Sequence, residues 1–517
     1  MAEPAPPADR SDRFAFPRAE LRGRTVRGAL ITAVFLLLID GLTVAQGMVV
    51  TRLLGPELIG LYGIVTVTTT TILALKRVGI DEAFVRQDET EHDQEAEFQR
   101  AFTLELATSA LLALALTALA PLIAQLYGDD RLLGLMAAMA YLPLGFALLA
   151  PLWIFFRRMQ YGRQRALQAI QPVVSFAVTV PLAATGFGVY SLIVGPLAGY
   201  VVAAAVAIRL SPYRLKLRWD PRTTRRYLAF SGWILVATLA TLVVQQGQVL
   251  AFDASEGLRY VGFLTLALTV TRYVDRADQV VTATIYPAIA AIQGRTATLT
   301  ELFVKSNRAT LLWVMPFTAA TILFAPDLVS FVVGEEWRDA ELLIQGLAVA
   351  GLLQHLGFNW FSFFRAHGDT KPPAIEAAVH AAAFCVLAVG GLILAGVEGF
   401  IAGRIAAVAV ALLLRRHYVR RMLPGVTLRS IAGPAALAVL PATAAVLAVR
   451  LALWGGDRAA WQAGLELAVL TVVFGAVAYK RELPLIAELR GSLRHQDAGE
   501  DRGDERQRGE LPVPVDR

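Results

Sequence analysis

Long apolar runs recur along this sequence, and their length restricts the fold more than any other feature. Each run has roughly 20 residues, which is the length an α-helix needs to cross a bilayer core. The runs are too long for buried strands and lack the alternation of outer-membrane barrel strands. Only 17% of the residues are charged and 56% are hydrophobic, whereas soluble domains carry about 25% charged residues. The sequence therefore predicts an all-α, polytopic helical membrane protein. We expect about fourteen transmembrane helices, which start near Ala29, Leu58, Phe102, Leu132, Leu167, Val189, Tyr227, Tyr260, Thr310, Ala340, Ala374, Gly399, Ile431 and Trp461.

The basic residues lie almost entirely in alternate loops between these runs. The richest loops are 158–165, 209–226 and 415–429. On this pattern about 39 of the 48 Lys and Arg residues fall on one side of the membrane, as the positive-inside rule expects for the cytoplasmic side. Both termini are therefore predicted to be cytoplasmic. The basic loops are interpreted as topology signals that contact membrane lipids, with no nucleic-acid partner.

Two segments outside the apolar runs are predicted to be disordered. Residues 1–24 are polar and rich in proline, and residues 483–517 are charged with few large apolar side chains. Such compositions cannot bury enough apolar surface to fold. The single cysteine, Cys385, excludes an intramolecular disulfide.

A polar stretch punctuated by glycines interrupts the apolar pattern twice. The stretch AQGMVVTRLLGPELIGLYG (45–63) returns as QQGQVLAFDASEGLRYVG (245–262). Three further echoes follow in the same order at offsets up to 208: the acidic turns after Gly128 and Gly334, the aromatic segments 153–157 and 360–365, and the glycine motifs at 188–195 and 396–403. This order indicates an internal duplication of about 205 residues.

Each copy is predicted to hold six helices, so both copies begin on the same side of the membrane. We therefore expect an N-lobe (25–210), a basic linker (211–226) and a C-lobe (227–422), followed by two additional helices (423–482). A parallel repeat of this kind is typical of transporters with a substrate site between the halves. The polar stretch 45–63 is expected to be the outward turn between the first two helices.

Several motifs resemble those of bacterial polysaccharide-export flippases. They are TRLLGPELIGLYG (51–63), VGIDEAFVR (78–86), FSGW (230–233) and GEEWRDA (334–340). The chain is similar over roughly 25–425 to Wzx-like members of the multidrug/oligosaccharidyl-lipid/polysaccharide exporter superfamily.

This resemblance implies a transporter of the bacterial cytoplasmic (inner) membrane that passes an undecaprenyl-diphosphate-linked oligosaccharide from the inner to the outer leaflet. Such a substrate would be a repeat unit of an exopolysaccharide, capsule or O-antigen. The resemblance further implies a coupling ion, proton or sodium, and a polysaccharide polymerase and a chain-length regulator as partners.

Cationic side chains within spans are the first candidates for binding a diphosphate, because arginine stays charged and can donate two hydrogen bonds at once. Arg272 is expected well inside the eighth run, and Arg276 lies one turn further along. The alternative is that the helix ends near Thr271 and that both arginines lie in an interfacial turn.

Polar uncharged side chains and two further charges complete the candidate set. The amides of Gln46, Gln245, Gln246 and Gln248 can bind sugar hydroxyls or hydrogen-bond between helices. Asp40, in the first run, is a candidate for ion coupling or for pairing with a neighbouring arginine. Two weaker substrate-binding candidates are Asn359 and Arg404. The glycine pairs 195/199 and 399/403 are explained by close helix packing.

Other functions are less consistent with the sequence. It contains no phosphate-binding loop of the GxxxxGK[ST] type, no histidine spacing typical of metal ligands and no sign of a cofactor. The loops on the outward side are short, which disfavours a membrane glycosyl polymerase or ligase. A multidrug cation antiporter of the same superfamily is the nearest alternative, although cations favour acidic cavities. A scaffold that recruits polymer-synthesis enzymes is a further alternative.

Overall fold

The computed structural model describes residues 18–74, 80, 84, 93–158, 160–221, 232–274, 281–282, 289, 296–357, 359–367, 369–454 and 458–482. These residues form α-helices joined by short 3-10 and π segments, with no strand among them. Within these ranges, nine helical segments are long and apolar enough to cross a membrane. The predicted class, a polytopic helical membrane protein, is confirmed, while the number fourteen stays a prediction.

The helices follow one another in a simple order. Those of the first half are α1 Arg18–Ala74, α2 Gln94–Tyr127, α3 Arg131–Met139, α4 Tyr141–Leu148, α5 Pro151–Arg157, α6 Tyr161–Ala184 and α7 Ser191–Leu210. Those that come next are α8 Gly232–Glu256, α9 Leu258–Thr271, α10 Thr296–Asp327, α11 Ala340–Gln354, α12 Trp360–Ala366, α13 Lys371–Ala383, α14 Gly390–Met422 and α15 Leu428–Val449. The last described helix is α16 Ala460–Glu482.

Helix α1 begins earlier than expected, at Arg18. The prediction that all of residues 1–24 are disordered is therefore wrong for 18–24, where Arg, Ala, Glu and Leu are good helix formers. The remainder of that segment and the tail 483–517 lie outside the described residues.

Helix α1 is broken once, within the polar stretch 45–63. Gly55 has φ 74° and ψ 172°, and Pro56 follows it. Proline disfavours the helical region in the preceding residue and lacks an N–H group to continue the ladder. The break is therefore confined to a single residue. The turn expected over 45–63 is shorter than predicted, because residues 45–54 remain helical.

Glycines with positive φ occur in pairs that match the predicted repeat. Gly55 (φ 74°) corresponds to Gly257 (φ 83°), Gly128 (φ 64°) to Gly334 (φ 112°), and Gly188 (φ 62°) to Gly396 (φ 60°). Their separations are 202, 206 and 208 residues, which fall in the range of the sequence offsets. Residues with a side chain rarely adopt this conformation, so each chain break recurs where the duplication predicts it.

The contacts divide the chain into two compact units. The first unit is Met1–Val270, Leu328–Leu347 and Ala374–Val410, and the second unit is Thr271–Asp327, Ala348–Pro373 and Ala411–Arg517. The first unit takes residues from both predicted lobes, whereas the second unit takes residues from the predicted C-lobe and from the region that follows it. The lobe boundaries therefore stay a prediction.

Small residues bring helices of the first unit close together. A Cβ built on Gly195 would lie 1.8 Å from Thr179 Oγ1, and one on Gly199 would lie 2.4 Å from the Gln171 carbonyl oxygen. In the second half, a Cβ on Gly403 would lie 1.9 Å from the Leu387 carbonyl oxygen. The prediction that these glycines serve close helix packing is confirmed.

The basic linker packs along the start of α2 as far as it is described, to residue 221. The Arg214 N–H donates to Glu95 Oε1 at 3.1 Å, and the Arg218 N–H donates to Thr103 Oγ1 at 2.7 Å. Gln99 Nε2 donates to the Arg214 carbonyl at 2.9 Å. These bonds satisfy an extended backbone that has no ladder partner.

In the second unit, helix α10 is the common packing partner. Aromatic side chains of α10, α12 and α14 form one apolar cluster that includes Phe303, Trp360 and Phe363. On α10, Arg308 Nη2 donates to both carboxylate oxygens of Glu482, at 2.8 and 2.9 Å. Glu482 is the last residue of α16, so this ion pair attaches α16 to α10.

Candidate substrate-binding site

Two repeat-related glutamines make the same kind of interhelical hydrogen bond. Gln46 Nε2 on α1 donates to Ser175 Oγ on α6 at 3.3 Å. Gln246 Nε2 on α8 donates to Thr71 Oγ1 on α1 at 3.0 Å. The interhelical alternative considered for these amides is therefore realised, and each amide keeps its carbonyl oxygen as a further acceptor.

A run of threonines on α1, which the sequence analysis did not single out, lies beside this contact. The residues are TVTTTT at 66–71. The Oγ1 atoms of Thr66, Thr68 and Thr69 are buried and have no hydrogen-bond partner among the described residues. Buried hydroxyl groups are normally satisfied, because an unmade bond costs about 1–3 kcal/mol. Five threonines within six residues of an apolar span were the available sequence signal.

The two other glutamines of α8 differ in environment. Gln245 is exposed. Gln248 is only 4% exposed, and its Oε1 atom has no hydrogen-bond partner in the described part of the chain. Between Gln246 and Gln248, the backbone of Gly247 approaches Phe384 closely: a Cβ on Gly247 would lie 3.3 Å from Phe384 Cε1.

Arg404 lies on α14 in the same unit. Its guanidinium group stacks on the ring of Phe384, the same ring that the backbone of Gly247 approaches. Its guanidinium carbon lies 5.3 Å from the ring centroid of Phe384. Its Nε and Nη1 atoms are buried, and neither has a hydrogen-bond partner within the described ranges. A cationic side chain with unsatisfied donors inside a span is costly and is a functional candidate for that reason.

Phe384 thus connects the cationic and the neutral candidates. It contacts Arg404 on α14 and the glycine between two glutamines on α8. We refer to Thr71, Gln246, Gln248 and Arg404 as the polar set. The structure brings these four residues onto neighbouring helices, α1, α8 and α14, of the first unit.

Arg272 lies just beyond the end of a helix. Helix α9 stops at Thr271, and Arg272–Val274 form a single 3-10 turn in which Arg272 is exposed. The expectation of a position within a continuous span is wrong, and the alternative of a helix end is correct. Three consecutive β-branched residues, 269–271, precede the end and weaken the helix. Arg276 lies outside the described residues.

Two remaining candidates lie elsewhere. Asp40 is part of α1 and is partly exposed. Asn359 belongs to the second unit and is 1% exposed. Its Nδ2 donates to Ser306 Oγ at 2.6 Å, and its Oδ1 accepts from Asn307 Nδ2 at 2.8 Å. Both ends of the Asn359 amide are therefore engaged inside the bundle.

The polar set supplies one permanent positive charge and several hydrogen-bond donors and acceptors in apolar surroundings. An arginine suits phosphate oxygens, and amides with hydroxyls suit sugar hydroxyls. Among the described residues, no group of three His, Cys, Asp or Glu side chains could hold a metal ion.

Two solved structures share the fold. The lipid II flippase MurJ, in an inward closed conformation, superposes with a TM-score of 0.60 at 13% identity, covering 87% of this chain and all of MurJ. A multidrug resistance transporter of the MATE family and the MOP superfamily, facing inward, gives a TM-score of 0.58 at 15% identity over 77% of this chain and all of the transporter. These likenesses show the fold.

Two curated proteins are similar in sequence. The lipopolysaccharide biosynthesis protein WzxC of Escherichia coli K12 is 22% identical over 348 residues, which are 65% of this chain and 69% of WzxC. The succinoglycan biosynthesis transport protein ExoT of Rhizobium meliloti is 24% identical over 323 residues, which are 60% of this chain and 63% of ExoT.

A family model described as polysaccharide biosynthesis protein matches residues 49–341, which is more than half of the chain. The match includes the motif region 51–63 and the acidic segment after Gly334, which carried the resemblance in the sequence. The chain belongs to the polysaccharide biosynthesis protein family, and its polytopic helical fold is shared with the flippase and the multidrug transporter described above.

Proposed function

We propose that this protein is a flippase that carries an undecaprenyl-diphosphate-linked oligosaccharide across the bacterial inner membrane by alternating access. The proposal rests first on Arg404, whose Nε and Nη1 atoms are buried and lack hydrogen-bond partners in the described structure. A diphosphate and its sugars cannot enter hydrocarbon alone, because each unsatisfied polar group costs several kcal/mol. The polar set offers these groups replacement partners while the prenyl tail stays in the bilayer.

The lobe organisation is part of this proposal. Lobes 25–210 and 227–422, joined by the linker 211–226, enclose a cleft, and both termini face the cytoplasm. The paired positive-φ glycines support the duplication behind the lobes. Helices in 423–482 lie outside the repeat.

The other predicted residues keep their proposed roles. Gln46, Gln245, Arg272, Arg276 and Asn359 are secondary substrate contacts, and Asp40 is the site for a coupling proton or sodium ion. Partners are the lipid-linked substrate, membrane lipids, a polysaccharide polymerase and a chain-length regulator.

The test compares Arg404→Gln with Arg404→Lys in cells whose surface polysaccharide depends on this protein. The Arg404→Gln variant is expected to lower export at least about tenfold, because it loses one hydrogen bond from a charged donor. Oligosaccharide should accumulate on its lipid carrier. The lysine variant should retain part of the export. Arg209→Gln, an exposed arginine at the end of α7, is the matched control, and protein level is measured in each case. Normal export by Arg404→Gln would remove Arg404 from the mechanism.

A multidrug cation antiporter is the second candidate, because a transporter of that kind shares the fold. The positive charge of Arg404 repels cationic drugs, whereas it attracts a diphosphate. An unchanged lipid profile together with altered dye efflux would favour the antiporter. The names of the relatives and neighbours describe transport and biosynthesis proteins, so the polymerase or ligase alternative is not supported.

A further inference from the structure

The end of α14 carries a cluster of basic side chains, in the predicted loop 415–429 for which the sequence indicates contact with membrane lipids. We call it the basic cluster: Arg415, Arg416, His417, Arg420 and Arg421. All but Arg415 are exposed. The cluster belongs to the second unit and shares no residue with the polar set.

Arg415 has a structural task. It is 9% exposed, and its Nη1 donates to the carbonyl oxygens of Gln354 at 2.7 Å and Leu356 at 3.0 Å. These carbonyls lie at the C-terminal end of α11, where helices leave carbonyl groups unsatisfied. Arg415 therefore fixes α14 to α11 and leaves the exposed arginines as the free surface of the cluster.

Arg416 and Arg420 line a small open recess with about 40 Å³ of accessible space. They are four residues apart and so lie on one face of α14. The wall of this recess is largely apolar and includes Phe303 from α10, Val419 from α14 and Ile431 from α15. Two positive charges thus border an apolar recess, which is an amphipathic arrangement.

The surroundings of this recess are apolar as well. Leu413 is 66% exposed and Leu428 is 41% exposed, and both line the recess or the adjoining basic surface. Among the described residues, no ion pair joins a carboxylate to Arg416 or Arg420. The start of α15, capped by the Thr427 hydroxyl, adds partial positive charge on the same side.

We propose that this recess is a binding site for one anionic phospholipid. The phosphodiester lies between Arg416 and Arg420, and an acyl chain lies against the exposed side chains of Leu413 and Leu428. Basic pockets at the cytoplasmic ends of membrane helices attract anionic head groups, whereas zwitterionic head groups carry no net charge. Exposed leucines beside two arginines suit an acyl chain joined to a phosphate group, and a nucleic acid does not offer this combination.

The test measures lipid binding by native mass spectrometry on the full-length protein in detergent. Phosphatidylglycerol is titrated against phosphatidylcholine with the same acyl chains. The double variant Arg416→Gln/Arg420→Gln is expected to bind phosphatidylglycerol about tenfold more weakly, since two charges near the head group are lost. Arg416→Lys/Arg420→Lys should keep most of the affinity. Arg209→Gln is the control. Arg209 lies outside the basic cluster, and the repeat offset of 208 makes it equivalent to position 417 within the cluster (209 + 208).

A second variant guards against a folding defect in the double variant. Leu428→Gln changes a half-exposed lining residue and keeps both arginines, and it is expected to weaken phosphatidylglycerol binding severalfold. Equal binding of the two lipids by the unsubstituted protein would overturn the proposal, as would unchanged phosphatidylglycerol binding by the double variant. So would a double variant that loses undecaprenyl diphosphate but keeps phosphatidylglycerol, because the recess would then belong to the substrate.

Discussion

Gly60 and Gly262 occupy reciprocal positions in one helix contact. A Cβ built on Gly60 would lie 2.2 Å from the carbonyl oxygen of Leu258, and a Cβ built on Gly262 would lie 2.0 Å from the carbonyl oxygen of Pro56. Each residue and its counterpart are 202 positions apart (258 − 56 and 262 − 60). Reciprocal contacts of this kind are expected where a twofold axis passes through an interface. The two copies of the repeat therefore meet here through equivalent surfaces of α1 and α9.

Substitution of Gly60 by alanine is expected to separate α1 from α9. The added methyl group overlaps backbone atoms, which cannot rotate away, so the contact must open at a cost of about 1–3 kcal/mol. The measurement is labelling by a membrane-impermeant maleimide of a cysteine placed at Val261, which is fully buried in α9. Labelling is made in a Cys385→Ser background and should rise in Gly60→Ala.

Gly47→Ala is the matched control for this prediction. Gly47 lies on the same helix, and a Cβ there meets nothing within 4 Å. It should leave labelling unchanged, and its melting temperature should stay the same or rise because alanine favours helix. Equal labelling of Gly60→Ala and Gly47→Ala would show that the α1–α9 contact tolerates a methyl group.

The repeat could be predicted from the sequence because it depends on glycines with a strict backbone requirement. Gly55 and Gly257 both have positive φ, and only glycine adopts this conformation readily. The shape of the break could not be predicted. A polar stretch of about 19 residues suggests a loop. The helix nevertheless continues to residue 54, because tertiary packing overrides the local preference of the sequence.

The hydrogen bond between Gln246 and Thr71 gives a second prediction. Gln246→Leu and Thr71→Val should each lower the free energy of unfolding, and a double-mutant cycle should give a coupling of about 0.6–1.5 kcal/mol. If the amide also binds substrate, Gln246→Leu lowers export more than Thr71→Val does at equal protein level, because the Thr71 hydroxyl is already engaged by Gln246. Unfolding is followed by thermal melting in detergent, and export by surface polysaccharide.

The comparison of the two single variants separates packing from binding. A matched control is Thr70→Val, since Thr70 is exposed and its hydroxyl donates to its own helix. Equal losses of export in Gln246→Leu and Thr71→Val would assign Gln246 a packing role alone.

The candidate site was only partly predictable. Composition and run length identified charged residues near spans, but they ranked Arg272 above Arg404. The helix end at Thr271 depends on local propensity that a count of apolar residues misses. Arg404 on α14 stacks on Phe384, which lies in the preceding π segment. The spacing of these two residues in the sequence does not predict this contact. The buried threonine hydroxyls could not be predicted as candidate site residues, because threonine is common in membrane helices.

Asn359 gives a third prediction, since its amide is enclosed by Ser306 and Asn307. Asn359→Ala removes one of the two acceptors of Asn307 Nδ2, which also donates to the Phe303 carbonyl. One buried N–H is then unsatisfied, at a cost of about 1–3 kcal/mol. A lower melting temperature and a proportional fall in protein level are expected. Gln125→Ala, at an exposed amide of α2, should change neither. Loss of export at normal melting temperature would instead support a direct substrate contact.

A buried ion network connects α10 with α16 and gives the last prediction. Glu466 is fully buried, and its Oε2 accepts from Arg450 Nε at 3.1 Å, from Arg450 Nη2 at 2.9 Å and from Arg458 Nη1. Arg458 also pairs with Asp327 at the end of α10. Glu466→Gln leaves two arginines with one carboxylate, and the loss of a buried partner costs about 3–5 kcal/mol. We expect a large fall in melting temperature.

The compensating double variant Arg450→Leu/Glu466→Leu distinguishes charge balance from simple packing. It removes one cation and one anion and leaves Arg458 paired with Asp327, so it should recover most of the stability lost in Glu466→Gln. Replacing a buried ion pair by apolar side chains is often neutral or stabilising, whereas breaking it is not. Glu335→Gln, at an exposed acidic residue, is the control and should melt normally. A double variant that melts at a lower temperature than Glu466→Gln would contradict this prediction. Restored charge balance would then have brought no gain in stability, and the network would stabilise α16 through its hydrogen bonds and shape.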